Sequence, residues 1–510
     1  MSDILSREDY AARAETMDLP ATAYINGKFM PAASGKTFET VNPATGTLLT
    51  QVAACGPEDV DMAVAKARKA FESGVWSRFH PSERKEAMIQ WTKLIKRHRH
   101  ELATMESLDS GKPIRDCATL DLSETTHCLA WYAEAADKLY GQMSPLQDDA
   151  MGLILREPVG VVACVLPWNF PMQMLAWKAG PALAAGNSVI VKPAEQTSLT
   201  ALRLAELASE AGIPDGVFNV VPGLGEEAGA AIGRHMDIDV ISFTGSTEVG
   251  RLFLKYAADS NLKRVVLECG GKNPAVVLSD AGNLDSVAAY VVQGVFWNMG
   301  ENCTSNSRLI VHESLKEDLL SRIMEKVKDW RTGDPLDPAN ALGAIVSREH
   351  FDRVMTYING AKKEGAKLLL GGEPLKMGNG LFIPPTIFDG VTPDMTIARE
   401  EIFGPVLAVM TVGSDEEAIA LANDTCYGLQ ASLFTRSIKT ALRAGRDLKA
   451  GTVSVNCYSE GDITTPFGGY KLSGFGGRDN SLQAFEQYTE TKTIWIDLSD
   501  HALDAAVIDS

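Results

Sequence analysis

The chain has 510 residues, 45% hydrophobic and 22% charged, with 44 Gly, 23 Pro and 8 Cys. This is an ordinary globular composition that excludes collagen-like, disordered and disulfide-stapled classes. Lys and Arg number 48 against 66 Asp and Glu, a formal net charge of −18 that repels phosphate backbones and excludes nucleic acid as an expected partner.

The length predicts two or three packed domains. The N-terminal residues MSDILSREDYAARAETMD read as neither a signal nor a transit peptide, and no apolar run approaches the roughly 18 residues that span a bilayer. The cysteines at 55, 117, 128, 164, 269, 303, 426 and 457 form no CxxC pair, so free thiols in a cytoplasmic protein are expected.

In chain order, residues 60–71 and 82–109 read as helices. Residues 159–166 (VGVVACVL) read as a strand, and 172–185 as a helix broken near Gly180-Pro181. A strand over 188–191, a helix over 198–211 ended by Gly212, a strand over 217–221 and a short helix over 226–233 follow. Strands at 240–243 and 264–267 enclose a helix over 247–258. Apolar strands alternating with helices predict an α/β fold whose parallel sheet is covered on both faces. A second α/β series runs from 274–278 to about Val455, with the boundary near Gly270-Gly271. Residues 488–497 (YTETKTIWID) alternate in period 2 beyond both series, as a strand that would pair with another chain. The closing segment SDHALDAAVIDS is an acidic tail without an assigned element.

Open α/β sheets bind ligands beyond the carboxyl ends of their strands. There the sequence places Pro167-Trp168-Asn169, Lys192-Pro193-Ala194-Glu195, Pro222-Gly223-Leu224-Gly225 and Thr244-Gly245-Ser246-Thr247. Gly245-Ser246 opens a helix, where free N–H groups can hold a pyrophosphate; the alternative is a simple turn, since neither GxGxxG nor a P-loop is present. Lys192 and Glu195 suit an adenosine ribose, or are merely solvated. Cys303 lies in a glycine-containing loop, as a nucleophile or as one small buried hydrophobe among eight. Glu268, ending a strand, is a general base with a raised pKa or a carboxylate satisfied by backbone amides at a domain joint. No metal site is expected: the eight histidines are scattered and HExxH is absent. A GxSxG elbow is absent too.

At these residues the chain resembles the NAD(P)-dependent aldehyde dehydrogenase superfamily. PWNFP, KPAEQT, FTGSTEVG, LECGGKNP, EEIFGPV and PFGGYKLSGFGGR occur in the family's order and spacing. The resemblance implies the aldehyde dehydrogenase fold: a Rossmann-like NAD-binding domain (1–138 and 160–270), a catalytic α/β domain (271–470), and a β oligomerisation arm with a tail (139–159 and 486–510). It implies that Cys303 is the nucleophile, Glu268 the general base and Asn169 the side-chain donor of the oxyanion hole. Trp168, Lys192, Glu195, Gly225, Gly229, Gly245, Ser246, Glu401 and Phe403 are implied cofactor contacts. NAD is favoured over NADP because Glu195 would crowd a 2′-phosphate. The implied reaction forms a thiohemiacetal and then a thioester, which Glu268-activated water hydrolyses rather than CoA.

Within the superfamily the resemblance is to γ-glutamyl-γ-aminobutyraldehyde and 4-guanidinobutyraldehyde dehydrogenases of polyamine and arginine breakdown. It rests on LDSGKPI (108–114), WYAEA (131–135) and SEGDIT (459–464). Asp121, Glu124, Cys128 and Trp131 fall at helical spacing, so acids and an aromatic on a pocket-facing helix, with Asp462, would hold a cationic tail. The alternative is a solvated face with Trp131 in the core. Residues 301–306 (ENCTSN) depart from the commoner glutamine-x-cysteine with a small-glycine turn, and Cys269 stands where leucine is usual; the first departure leaves the substrate open. Neutral aliphatic, aromatic or semialdehyde substrates and a non-catalytic family member are the alternatives. A homodimer or homotetramer is expected.

Overall fold

Five fully or largely buried strands form the centre of the first sheet because their side chains are apolar on both faces. In the computed structural model, which describes residues 4–499, these strands are Val161–Val165, Ser188–Lys192, Phe218–Val220, Val240–Gly245 and Arg264–Cys269. All pair in parallel. Numbered along the chain, their order across the sheet is 3-2-1-4-5, so the winding reverses between Val161–Val165 and Val240–Gly245. A crevice opens at such a reversal, beyond the carboxyl ends of the strands. Antiparallel strands flank this centre: Ala23–Ile25 and Lys28–Met30 on one side, Gly474–Phe475 on the other.

The second sheet has seven strands, among them Pro274–Val277, Arg308–His312, Val406–Val412 and Gln430–Phe434, parallel except at one edge. Its own apolar core packs around those strands. A three-stranded antiparallel sheet joins Thr489–Asp497, Ala150–Pro158 and Gln142–Ser144. The expected strand over 488–497 is thus present, but its partner is this chain's own Ala150–Pro158, paired from Thr489↔Pro158 to Asp497↔Ala150. The acidic tail from residue 500 onward lies outside the described residues.

Three expectations change. Pro171–Ala185 is one helix running through Pro181. All its residues are buried, so packing compensates for the missing N–H, and Gly180 lets the Tyr132 ring approach where a Cβ would stand 3.1 Å away. Residues 82–109 form two helices, Pro81–Arg97 and Arg99–Ser110, which part at His98 where ψ turns to 18°. The short helix near 226–233 divides into a wide turn, Gly225–Gly229, and Ala230–Arg234.

Two ion pairs are fully enclosed. Lys112 Nζ lies 2.6 Å from Asp121 Oδ2 with both side chains 1% exposed, and Lys178 Nζ lies 3.3 Å from Asp479 Oδ2. Removing one member strands the other charge away from water, which typically costs about 3–5 kcal/mol. Asp121→Asn is therefore expected to lower unfolding free energy by about 3 kcal/mol, read as a shifted urea midpoint at unchanged slope. A loss under about 1 kcal/mol would mean that Lys112 is satisfied by its other contacts.

Candidate active site

The reversal of the first sheet faces the loops of the second, and a cavity of ≈ 310 Å³ lies there. Lining it are Trp168, Asn169, Gly245, Ser246, Glu268, Cys303, Glu401 and Phe403, brought from five separate segments. Lys192, Glu195, Gly225 and Gly229 stand beside it at the ends of the next two strands. Lys192 Nζ is buried 3.3 Å from Glu195 Oε2, a Cβ at Gly229 would come within 3.8 Å of the Lys192 stem, and one at Gly225 would meet open space.

The thiol follows a strained backbone. Asn298, Met299 and Gly300 all have positive φ, at 53°, 57° and 69°, which side chains rarely adopt. Glycine is required at 300 because a Cβ would stand 2.2 Å from the Gly404 carbonyl oxygen. The Asn298 amide holds the bend by donating to the backbone oxygens of Asn169 (3.1 Å) and Glu301 (2.9 Å). Asn169 Nδ2 donates to the same Glu301 oxygen at 3.0 Å, and Lys112 Nζ donates to Asn169 O at 3.1 Å. Asn273 Nδ2 donates to Cys303 O at 2.7 Å.

Glu268 ends the strand Arg264–Cys269, 4% exposed, and its Oε2 has no hydrogen-bond partner. It is not the amide-satisfied carboxylate that the sequence allowed. Burial pushes its carboxyl far above the usual range, Asp479 adds to this, and Lys178 and Arg478 oppose it. Glu401 accepts from Gly271 N at 2.8 Å and burial pushes it up to about 7; a Cβ at Gly270 would sit 1.9 Å from its Oε2. Phe403, at φ 59°, meets the Trp168 ring edge-on at 5.1 Å. Cys269 is buried, with its thiol pushed up to about 12, chiefly by burial.

Sequence reasoning missed several groups here. Asp479 lines the cavity and is paired with Lys178; a single charged residue inside the buried helix Pro171–Ala185 was the available signal. His350 also lines it, with Nε2 2.6 Å from Phe403 O. Glu460 was passed over for its neighbour Asp462.

An outer cavity of ≈ 630 Å³ adjoins the first, and Gln173, Trp177 and Glu460 line both. Of the four expected substrate anchors, Glu124 and Asp462 line it, exposed and without an ion pair among the described residues. Asp121 does not: it is sealed against Lys112, because the wide helical turn Cys117–Asp121 directs it inward. Trp131 lines neither cavity and packs edge-on against Tyr132 at 5.0 Å. The common face expected for Asp121, Glu124 and Trp131 is therefore not presented to the cavity.

A thiol, an amide donor and an unbonded carboxylate around one cavity can support covalent catalysis followed by hydrolysis. The Cys303 thiol is held well above the ordinary thiol range by burial and then by Glu460, Glu401 and Glu268. Its alkylation by iodoacetamide in the free protein is therefore expected to keep rising with pH beyond the usual thiol value of about 8.5. A plateau below pH 7 would contradict that field of carboxylates.

The description "Aldehyde dehydrogenase family" matches residues 29–494. The chain is 60% identical to an aminoacetaldehyde dehydrogenase of Pseudomonas aeruginosa over 98% of this chain and 100% of that protein. Among solved structures, a γ-glutamyl-γ-aminobutyraldehyde dehydrogenase from Burkholderia cenocepacia superposes with a TM-score of 0.95 at 48% identity, covering 97% of this chain and 100% of that one. A P. syringae indole-3-acetaldehyde dehydrogenase, solved with NAD+, gives 0.96 at 47% identity over the same shares. With the match spanning both sheets and the cavity between them, the chain belongs to the aldehyde dehydrogenase family.

Proposed function

We propose that the protein oxidises ω-amino, guanidino or γ-glutamylamino aldehydes to carboxylates with NAD. The observation that carries the chemistry is the convergence of the Cys303 thiol, the Asn169 amide and the orphaned Glu268 carboxylate on one cavity. Cys303 Sγ attacks the aldehyde carbon as a thiolate, and the carbonyl π pair becomes an oxyanion. The Cys303 backbone N–H and Asn169 Nδ2, which has a second hydrogen besides the one given to Glu301 O, stabilise that charge. When bound, NAD supplies the hydride acceptor that takes this carbon to the acyl level. Glu268 then removes a proton from water, the water oxygen bonds to the acyl carbon, and the C–S bond breaks to release the acid and the Cys303 sulfur. A base in this position supports hydrolysis over transfer to CoA.

The residues present fit a dinucleotide. Gly245 and Ser246 open the helix Thr247–Ala258 at the cavity wall, where a pyrophosphate is favoured. Lys192 holds Glu195 at the end of the next strand, where a carboxylate accepts ribose hydroxyls and repels a 2′-phosphate. Glu401, Phe403 and Trp168 would hold the nicotinamide end. On this reading the first sheet carries the cofactor and the second the nucleophile.

The substrate class is supported by the outer cavity, where Glu124 and Asp462 face solvent without an ion pair among the described residues, and by the aminoaldehydes for which the P. aeruginosa and B. cenocepacia relatives are named. With NAD, kcat/KM for 3-aminopropanal, 4-aminobutanal and 4-guanidinobutanal is expected to exceed that for hexanal and benzaldehyde by about 10-fold or more, worth about 1.4 kcal/mol, and to fall with NADP. Equal rates across the panel would return the substrate to the neutral class. Asn169→Ala is expected to retain turnover reduced by about 10²–10³-fold, whereas Cys303→Ala should yield none. Near-normal NADH formation by the cysteine variant would overturn the mechanism.

A further inference from the structure

Glu460 occupies a position that neither the helix face nor the mouth of the outer cavity shares. It is partly buried, it lines both cavities, and together with Gln173 and Trp177 it forms their junction. Its carboxylate accepts from Thr304 Oγ1 and, at 3.4 Å, from Asn302 Nδ2. These are the residues on either side of Cys303, so the backbone that carries the thiol also fixes where this charge sits. Tyr458 completes the frame, its hydroxyl 2.8 Å from Thr304 Oγ1 and 2.7 Å from Asn302 Nδ2. All these partners are neutral. Among the described residues no cation lies within 4.0 Å of the Glu460 carboxylate, whereas Asp121 and Asp479, which are also enclosed, each have a lysine. A half-enclosed anion whose donors are uncharged is electrostatically incomplete, and a desolvated cation is stabilised strongly beside it. Trp177, an aromatic of the kind that attracts cations, lines the same junction.

We propose that Glu460 is the proximal cation anchor, the group that takes the ammonium of a short ω-aminoaldehyde while its carbonyl carbon reaches Cys303. Glu124 and Asp462, which line only the outer cavity, serve longer cations. This rests on the aminoaldehyde reading above and divides it by chain length. It also has an electrostatic corollary. After burial, Glu460 is the largest influence keeping the Cys303 thiol protonated, so a cation that neutralises Glu460 eases formation of the thiolate that attacks it.

The test compares wild type, Glu460→Gln and Glu124→Gln on 3-aminopropanal, 4-guanidinobutanal and butanal. Glutamine keeps an oxygen to accept from Thr304 and Asn302 and removes only the charge. Glu460→Gln is expected to lower the ratio of kcat/KM for 3-aminopropanal over butanal by at least tenfold, and to move Cys303 alkylation by iodoacetamide to lower pH. Glu124→Gln should change the 4-guanidinobutanal ratio more than the 3-aminopropanal ratio. If wild type prefers 3-aminopropanal and Glu460→Gln keeps that preference, the anchor is refuted while the substrate class stands. Equal losses on all three aldehydes with an unmoved alkylation profile would make Glu460 a structural residue and also refute it. If wild type shows no preference for either cation over butanal, the substrate reading and the anchor fall together.

Discussion

One side-chain amide joins the halves of this site. Asn298 donates to the backbone oxygens of Asn169, which belongs to the turn after the first strand of one sheet, and of Glu301, which belongs to the loop carrying the thiol from the other. The residues around it accept a left-handed backbone at three successive positions, a conformation that costs energy for side chains other than glycine. The Asn298 bonds, together with the direct one from Asn169 Nδ2 to Glu301 O, tie the turn that carries Asn169 to the loop that carries the thiol. With them, and with Lys112 on the same Asn169 oxygen, the Asn169 amide and the Cys303 thiol share a frame. Orientation of this kind is what converts proximity into rate.

The electrostatics of the cavity run against the thiolate. Glu460, Glu401 and Glu268 line the cavity with Cys303, and after burial each makes the thiol hold its proton more firmly. Burial, with Asp479 adding to it, keeps Glu268 far above a normal carboxylate, the direction that strengthens a carboxylate as a base. A cavity with surplus negative charge discriminates by charge before shape, and the outer cavity continues the sign through Glu124 and Asp462.

Much of this was legible in the residues. Strand alternation locates the five parallel strands, and their carboxyl ends point to Asn169, Gly245 and Glu268. Cys303 could not be singled out from eight cysteines by chemistry alone; the order of six motifs did that. Burial was the quantity that sequence spacing hid. Asp121 and Glu124 share a helical stripe on paper, yet Lys112, delivered by the Gly111 turn, draws Asp121 inward. Pro181 reads as a break by local rules but lies in a helix buried along its whole length. Glu460 and Asp462 sit two residues apart, and only the chain's path decides which of them stands beside the thiol.

The pairing of Thr489–Asp497 with Ala150–Pro158 also bears on how the chain reaches this state. Synthesis exposes the earlier strand roughly 330 residues before its partner leaves the ribosome. The same late segment supplies Gly474–Phe475 to the edge of the first sheet, Asp479 to Lys178 and Tyr488 to Ser242. Until then the nascent sheet has an open edge, an unpaired lysine in its core and an unpartnered ribbon, the features that recruit chaperones or neighbouring chains. The last thirty or so described residues act as a clasp, and a ribosome stalled before them would release a nearly full-length chain with its reactive edges uncovered.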